Sequence, residues 1–216
     1  TIFSGTPDYD ITKQIASFEQ DLVKQPAGIL LHPMQSDPFI EPINRAIESG
    51  VEIVTFAADS PKSNRTAYIT SDNVAEAKFA AEEIVKQVGE TGEYAVLENP
   101  GQSNHDLRVT ELIAYMEANY PGMKLVGRQA TNQDSNAAYR ATASILQANP
   151  NLDAIWIPEA GSAEGAVAAV LEAGAEVLIM HADVTPTTLE HIKAGNIHMA
   201  LNPNQGIQGF VGFVAT

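Results

Sequence analysis

Eight short apolar runs alternate with amphipathic segments along the whole chain. The runs are rich in Ile and Val and several are flanked by turn residues, which is typical of buried parallel strands. The predicted strands are Thr1–Ser4, Gly28–Leu31, Val51–Ala57, Tyr94–Glu98, Lys124–Gly127, Ala154–Ile157, Val177–Met180 and Ile197–Leu201. Because helical patterns separate the runs and no hairpin signal appears, the sequence predicts an α/β protein with doubly wound parallel sheets.

The segments between the runs carry apolar residues three or four positions apart, the spacing of an amphipathic helix. Helices are predicted after Asp10, from Asp37-Pro38, after a cap at Asn73, and at 106–119, 135–148, 162–173 and 186–194. A last helix is predicted from Ile207 onward. The aromatic rings of Phe18, Phe39 and Phe79 lie on the apolar stripes, and we expect them in the core.

A change of domain is predicted near residues 69–73. The loop Asp59–Arg65 before it is too polar for a strand, and a fresh series of β–α units follows it. We therefore predict an N-terminal lobe of residues 1–71 plus 205–216 and a C-terminal lobe of residues 72–204, each with the same doubly wound architecture.

The charge of the chain limits its partners. The net charge is −15, with 44 % apolar and 18 % charged residues. A surface this acidic repels phosphate backbones and anionic membranes, so nucleic acid is not an expected partner. The same charge favours a soluble monomer. No apolar run approaches the ~20 residues that span a bilayer. Cysteine is absent, which excludes disulfides and thiolate chemistry.

Polar side chains follow most of the predicted strands, at the sheet edge where open α/β folds bind ligands. They are Asp8, Tyr9, His32, Asp59, residues 99–108 with Asn104 and Arg108, Gln133, Glu159, Asp183, Asn202 and Asn204. Acids, amides and one arginine are the groups that bind the hydroxyls of a sugar or polyol. For any single residue, a loop acid or a helix cap is the alternative interpretation, and the argument rests on the joint pattern.

Catalytic patterns are missing from the sequence. It has no Gly-x-Ser-x-Gly motif, no phosphate-binding loop and no pair of histidines at metal-ligand spacing on one helix. A carboxylate pair among Asp59, Glu98 and Glu159 stays open as an alternative, since spacing alone does not exclude it. We predict no catalytic residue, no metal and no cofactor.

Six segments together resemble the type I periplasmic binding proteins of the ribose-binding family, whose fold the effector domains of LacI-type repressors share. The segments are Thr55–Arg65, Tyr68–Asn73, Gly101–Arg108, Leu146–Trp156, Gly165–Gly174 and Met180–Pro186. The resemblance covers the whole chain and keeps the family's order. It implies ligand contacts at Asp59, Arg108, Glu159 and Asp183, and also at Gln133, Asn204 and Asn104.

The resemblance also implies a function. We expect a non-enzymatic receptor of an ABC importer that binds a sugar or polyol in a cleft between two lobes, closes by a hinge, and delivers the ligand to the permease. It would be periplasmic or extracellular, and lipid-anchored in a Gram-positive type of cell. The family pattern has Asp where Ala57 stands and an aromatic ring near Gln133. The first β–α unit and the C-terminal end of the family are not matched, so we expect an incomplete chain.

Two other functions remain open at this point. One is the effector-binding domain of a LacI-type transcriptional regulator, which would carry a DNA-binding helix-turn-helix elsewhere. The other is an α/β enzyme that acts on a sugar, which would need an activated nucleophile or a metal set.

Overall fold

The computed structural model describes residues 2–6 and 9–216, which group into two compact units. The first unit comprises Thr1–Ser71, Gly101–Asn104 and Asn204–Thr216, and the second comprises Asp72–Pro100 and His105–Pro203. The short segment Gly101–Asn104 was not expected to group with the first unit. That the two units act as separate lobes stays a prediction.

Strands and helices alternate along the chain as the apolar pattern predicts, except that β3 follows β2 with no helix between them. The strands are β1 (Gly28–Leu31), β2 (Glu52–Phe56), β3 (Ala67–Ile69), β4 (Thr91–Glu98), β5 (Gly122–Ala130), β6 (Leu152–Ile157), β7 (Leu178–Ala182) and β8 (Met199–Leu201). The helices are α1 (Ile11–Leu22), α2 (Ile40–Glu48), α3 (Asn73–Val88), α4 (Ser103–Asn119), α5 (Ser135–Ala148), α6 (Ala163–Ala173), α7 (Pro186–Ala194) and α8 (Gln205–Ala215). A 3-10 turn, Asp37–Phe39, leads into α2.

The first unit is built on a parallel sheet of three strands in the order β1-β2-β3. Its core joins α1 and α2 to the sheet, and the rings of Phe18 and Phe39 meet there edge to face at 6.0 Å between centroids. Helix α8 packs on the same strands, where Gly212 lies against Leu30. A Cβ atom at Gly212 would be 2.5 Å from Leu30 Cδ1, so the side chain of Leu30 would have to shift to accommodate a larger residue.

The second unit is built on a parallel sheet of five strands in the order β5-β4-β6-β7-β8. Alternate residues of β6 face opposite sides of this sheet. Ala154 and Trp156 join the core with α3 and α4, and Ile155 and Ile157 join the core with α5 and α6. Apolar helices therefore cover both faces, and the prediction of a doubly wound α/β fold is confirmed.

Three local predictions were wrong. Residues 2–4 form no strand, whereas Ala67–Ile69 forms one that was not predicted, and Thr1 lies outside the described residues. Asp72, and not Asn73, caps α3, because its side chain accepts a hydrogen bond from the backbone N–H of Ala75. The ring of Phe79 on α3 is 47 % exposed and does not belong to the core.

Candidate functional site

Arg108 is the most deeply buried cation among the described residues, with 2 % of its side chain exposed. It lies on α4, just after the carboxyl end of β4. Its Nε donates to Glu76 Oε2 at 2.8 Å and its Nη1 donates to the backbone carbonyl of Pro158 at 3.0 Å. The third nitrogen, Nη2, makes no hydrogen bond to the described residues. The guanidinium is thus fixed by two partners and keeps the two N–H donors of Nη2 for a ligand.

Glu159 follows directly on Pro158, after β6, and its carboxyl group is only half satisfied. The residue is 1 % exposed. Its Oε2 accepts hydrogen bonds from the backbone N–H groups of Gly161 and Ser162, whereas Oε1 is buried and has no partner. Because a buried carboxyl oxygen without a donor is costly, Oε1 is an acceptor that a ligand would satisfy.

The pKa of Glu159 is raised above its ordinary value. Burial is the main cause, and the negative charge of Asp183 adds to it. The hydrogen bonds from Ser162 and Gly161 act in the opposite direction. Glu159 and Asp183 therefore interact electrostatically in the second unit, as two acids that follow neighbouring strands.

Gln133, from the end of β5, lies next to the same loop. A Cβ atom built on Gly161 would be 2.7 Å from the carbonyl oxygen of Gln133 and 3.0 Å from Glu159 Oε2. The hydroxyls of Thr131 and Ser162 are 2.7 Å apart and tie the end of β5 to the loop after β6. The structure thus brings Gln133 close to Glu159, and the missing side chain of Gly161 makes this approach feasible.

Several strand-end residues have left-handed backbones. They are Ala57 after β2, Asn132 and Gln133 after β5, Asp183 after β7 and Asn204 after β8, with φ between 52° and 72°. Non-glycine residues adopt this conformation at a cost, and such strain concentrates at ligand sites. The backbone conformation therefore indicates the same sheet edges as ligand sites that the sequence pattern indicated.

Asp59 has a different environment in the first unit. Its Oδ1 accepts from Thr55 Oγ1 at 2.7 Å and from Arg65 Nε at 2.5 Å, and its Oδ2 accepts from Arg65 Nη2 at 2.7 Å. Arg65 also lies over the ring of Tyr68, 5.7 Å from its centroid. Both carboxylate oxygens of Asp59 are therefore occupied by partners, and its contact with a ligand stays a prediction.

Asn104 and Asn204 also belong to the first unit. Asn104 lies in the first turn of α4, and its side-chain oxygen is buried without a partner. Asn204 precedes α8, and its backbone carbonyl accepts from Ile207 and Gln208. Of the seven residues predicted as ligand contacts, the structure brings Arg108, Glu159, Asp183 and Gln133 together at one sheet edge of the second unit. Asp8, a further strand-end candidate, lies outside the described residues.

Sequence reasoning missed two side chains that pair with predicted site residues, one in each unit. Glu76 lies on α3, 32 residues before Arg108, and Arg65 lies six residues after Asp59 on a loop. No spacing rule links residues this far apart or on irregular backbone. Within the described part of the chain, no group of three or more His, Asp or Glu side chains is arranged to hold a metal ion. No described helix is long and apolar enough to cross a membrane.

Comparison with known proteins identifies the class of this fold and site. A family model described as a periplasmic binding protein domain matches residues 1–215, and the chain belongs to this family. The family consists of binding proteins and not of enzymes, which confirms the prediction of a non-enzymatic receptor, and it implies a periplasmic or extracellular location.

Individual relatives are named for the sugars or polyols that they bind. The chain is 30 % identical to the D-allose-binding periplasmic protein of Escherichia coli K12 over 225 residues, which cover 98 % of this chain and 71 % of the relative. It is 27 % identical to the D-apiose import binding protein of Actinobacillus succinogenes, covering 90 % of this chain and 64 % of that protein. The myo-inositol binding protein of Caulobacter, solved with myo-inositol, superimposes with a TM-score of 0.86 at 26 % identity, covering 93 % of this chain and 70 % of that structure.

Proposed function

We propose that this protein is the solute-binding receptor of an ABC importer and that its ligand is a small polyhydroxylated molecule, a sugar or a cyclic polyol. The observation that carries the proposal is the unsatisfied pair on neighbouring groups, an acceptor at Glu159 Oε1 and a donor at Arg108 Nη2. A molecule with adjacent hydroxyls both donates and accepts, and it fits such a pair. The names of the relatives, which bind allose, apiose and ribose, support the same ligand class.

The ligand is held at the carboxyl edge of the second sheet. Arg108 donates from a rigid position, since Glu76 and Pro158 fix two of its nitrogens. Glu159 and Asp183 accept hydroxyl hydrogens, and Gln133 contributes an amide from the adjacent strand end. The predicted contacts of Asp59, Asn104 and Asn204, and hinge closure around the ligand, stay predictions.

The receptor delivers its ligand to the membrane-embedded permease of the importer and works as a monomer. The net charge of −15 supports a monomer, because like-charged copies repel each other. In a cell without an outer membrane, a lipid anchor outside this part of the chain would retain it at the surface.

Isothermal titration calorimetry with D-allose, D-apiose, D-ribose, D-arabinose and myo-inositol tests the proposal. We expect one molecule of at least one of them to bind per chain, and Asp183→Asn to weaken that binding at least tenfold. Asparagine tolerates the left-handed backbone at this position, so the variant removes the charge and leaves the fold. Glu164→Gln, an exposed acid on α6, is the control and should bind as the wild type does.

The proposal fails if none of these polyols, and none in a wider thermal-shift panel of sugars, binds. A ligand present at about 100 times its dissociation constant adds about 2.7 kcal/mol to the free energy of unfolding, so a specific ligand is readily detected. Chemical conversion of the bound sugar would also contradict a receptor.

A further inference from the structure

An apolar groove of about 550 Å³ lies between α5 and α6 of the second unit. Leu152 and Ala169, which are buried, and Leu146 and Val177, which are half-buried, give it an apolar lining. We propose that this groove docks a basic amphipathic segment of a partner protein, whose apolar side chains enter the groove while lysine or arginine side chains flank them. This docking is a function beyond the binding of a sugar.

The groove lies at the opposite edge of the sheet from the candidate ligand site. Leu152 begins β6 and Val177 directly precedes β7, so both lie at the amino ends of parallel strands. Glu159 and Asp183 follow the carboxyl ends of the same two strands. A segment in the groove therefore leaves the sugar site free.

The groove is open to solvent along its margin. Gln147, Pro150 and Ala173 line it and are exposed. A small ligand is usually buried over most of its surface, which favours an enclosed pocket. An open groove between two helices instead accepts the apolar side chains that project from one face of a peptide segment.

The acids that line the groove have no positive partner. Glu172 Oε2 accepts a hydrogen bond from the neutral hydroxyl of Tyr139 at 2.7 Å, and Glu176 makes no hydrogen bond or ion pair to the described residues. No described Lys, Arg or His lines the groove. Within the described chain, Arg140, which follows Tyr139 in sequence, forms no ion pair with either acid. The rim therefore carries negative charge that a basic segment would neutralise.

The two helices add negative partial charge at the same end of the groove. Because the strands of this sheet are parallel, α5 and α6 both run from its carboxyl edge to its amino edge. Neither helix has a basic residue in its last turn. The carbonyl groups at a helix C-terminus favour cations, so the helix ends and the acids select for the same sign of charge in a partner.

Nuclear magnetic resonance of the ¹⁵N-labelled protein with synthetic peptides tests the inference. The probe is a short peptide of leucine and lysine with its leucines at helical spacing, and the comparison peptide has the same composition in scrambled order. We expect the amphipathic peptide to shift the amide resonances of Leu146, Ala173 and Val177, and to bind at least about tenfold more tightly than the scrambled one. No sugar is used, so the outcome is independent of the proposed function.

A pair of matched variants tests the apolar part of the groove. Ala173→Gln places a longer polar side chain in the groove and should weaken binding of the amphipathic peptide at least about tenfold. Ala168→Gln is the same change at an exposed position of α6 outside the groove, and it should leave the affinity unchanged. Thermal unfolding establishes that both variants are folded.

Two double variants with the same net charge test the acids. Glu172→Gln with Glu176→Gln should weaken binding at least about tenfold, and glutamine at position 172 can still accept from Tyr139. Glu48→Gln with Glu117→Gln removes two exposed acids outside the groove and should weaken binding by less than about threefold.

Several results would overturn the inference. They are no binding of the amphipathic peptide, equal binding of the scrambled peptide, resonance shifts outside the groove, and equal effects of a groove variant and its control. Binding of dodecyltrimethylammonium in the groove without binding of the peptide would also overturn it, because the groove would then be a site for a small cationic amphiphile.

Discussion

Two arginine–glutamate pairs in the second unit have the same geometry and different burial. The Nε atom of Arg108 is 2.8 Å from Glu76 Oε2, and the Nε atom of Arg128 is 2.8 Å from Glu98 Oε2. The two carboxylates are similarly exposed, at 17 % and 15 %, but the arginines differ, at 2 % and 50 %. A comparison of the two pairs therefore isolates the effect of burying the guanidinium.

We predict a large coupling energy for the buried pair and a small one for the exposed pair. Arg108→Met leaves Glu76 without its counter-charge and should lower the free energy of unfolding by about 3–5 kcal/mol. Adding Glu76→Gln removes the stranded charge and should restore about 2 kcal/mol. For Arg128→Met and Glu98→Gln the coupling should be only about 0.2–1 kcal/mol, because water screens the exposed guanidinium.

The assay is urea unfolding of the ligand-free wild type, the four single variants and the two double variants. The coupling energy is the departure from additivity in each cycle. Equal coupling in the two cycles, or a value below about 1 kcal/mol for Arg108 and Glu76, would refute the argument that burial makes this pair stronger.

Three further changes are predicted from single contacts. Gly165→Ala should lower the free energy of unfolding by several kcal/mol, measured by chemical denaturation, because its Cβ would overlap the carbonyl oxygen of Ser135 on α5. Gly209→Ala on α8 has open space around it and should raise the free energy of unfolding by about 0.5–1 kcal/mol. Burial lowers the pKa of His32 from 6.5 to about 4, so the unfolded chain takes up a proton before the folded chain does as the pH falls. The free energy of unfolding should therefore decrease between pH 6.5 and pH 4 by at most about 3 kcal/mol. The decrease should be smaller in His32→Asn. Burial raises the pKa of Glu159, so the folded state keeps the carboxyl proton of Glu159 to a higher pH than the unfolded state does. Glu159→Gln should therefore unfold at a higher temperature than the wild type at pH 8. An equally large difference in unfolding temperature at pH 4 would contradict the assigned shift.

The sequence predicted most helices and strands because their signals are local. Helix α5 was predicted at its observed bounds, since Asp134 caps it and its apolar spacing is regular. The strand at Ala67–Ile69 was missed because three residues are too few to show a period. Phe79 illustrates a further limit: an apolar residue on a helical stripe was expected in the core, but the stripe does not determine how far the core extends.

For the candidate site, the sequence indicated the sheet edge but not the partners. The position of Glu159 and Asp183 after two strands followed from the pattern of parallel β–α units. The strand order that brings them next to each other did not. The pairing of Asp59 with Arg65 could not be predicted from the sequence either, because the conformation of a polar loop is set by tertiary contacts. The unpartnered oxygen of Glu159 is likewise a result of packing, which no sequence rule counts.

The left-handed backbones at the strand ends have a consequence for how ligand preference can change by mutation. At Gln133 and Asp183, with φ of 61° and 72°, β-branched side chains are excluded, and Asn, Asp or Gly are the replacements that fit best. Glu159 is not among the residues with positive φ, so its backbone accepts a wider range of side chains. Divergence toward new ligands is therefore expected to proceed through position 159, while positions 133 and 183 retain a narrow repertoire that preserves the frame of the site.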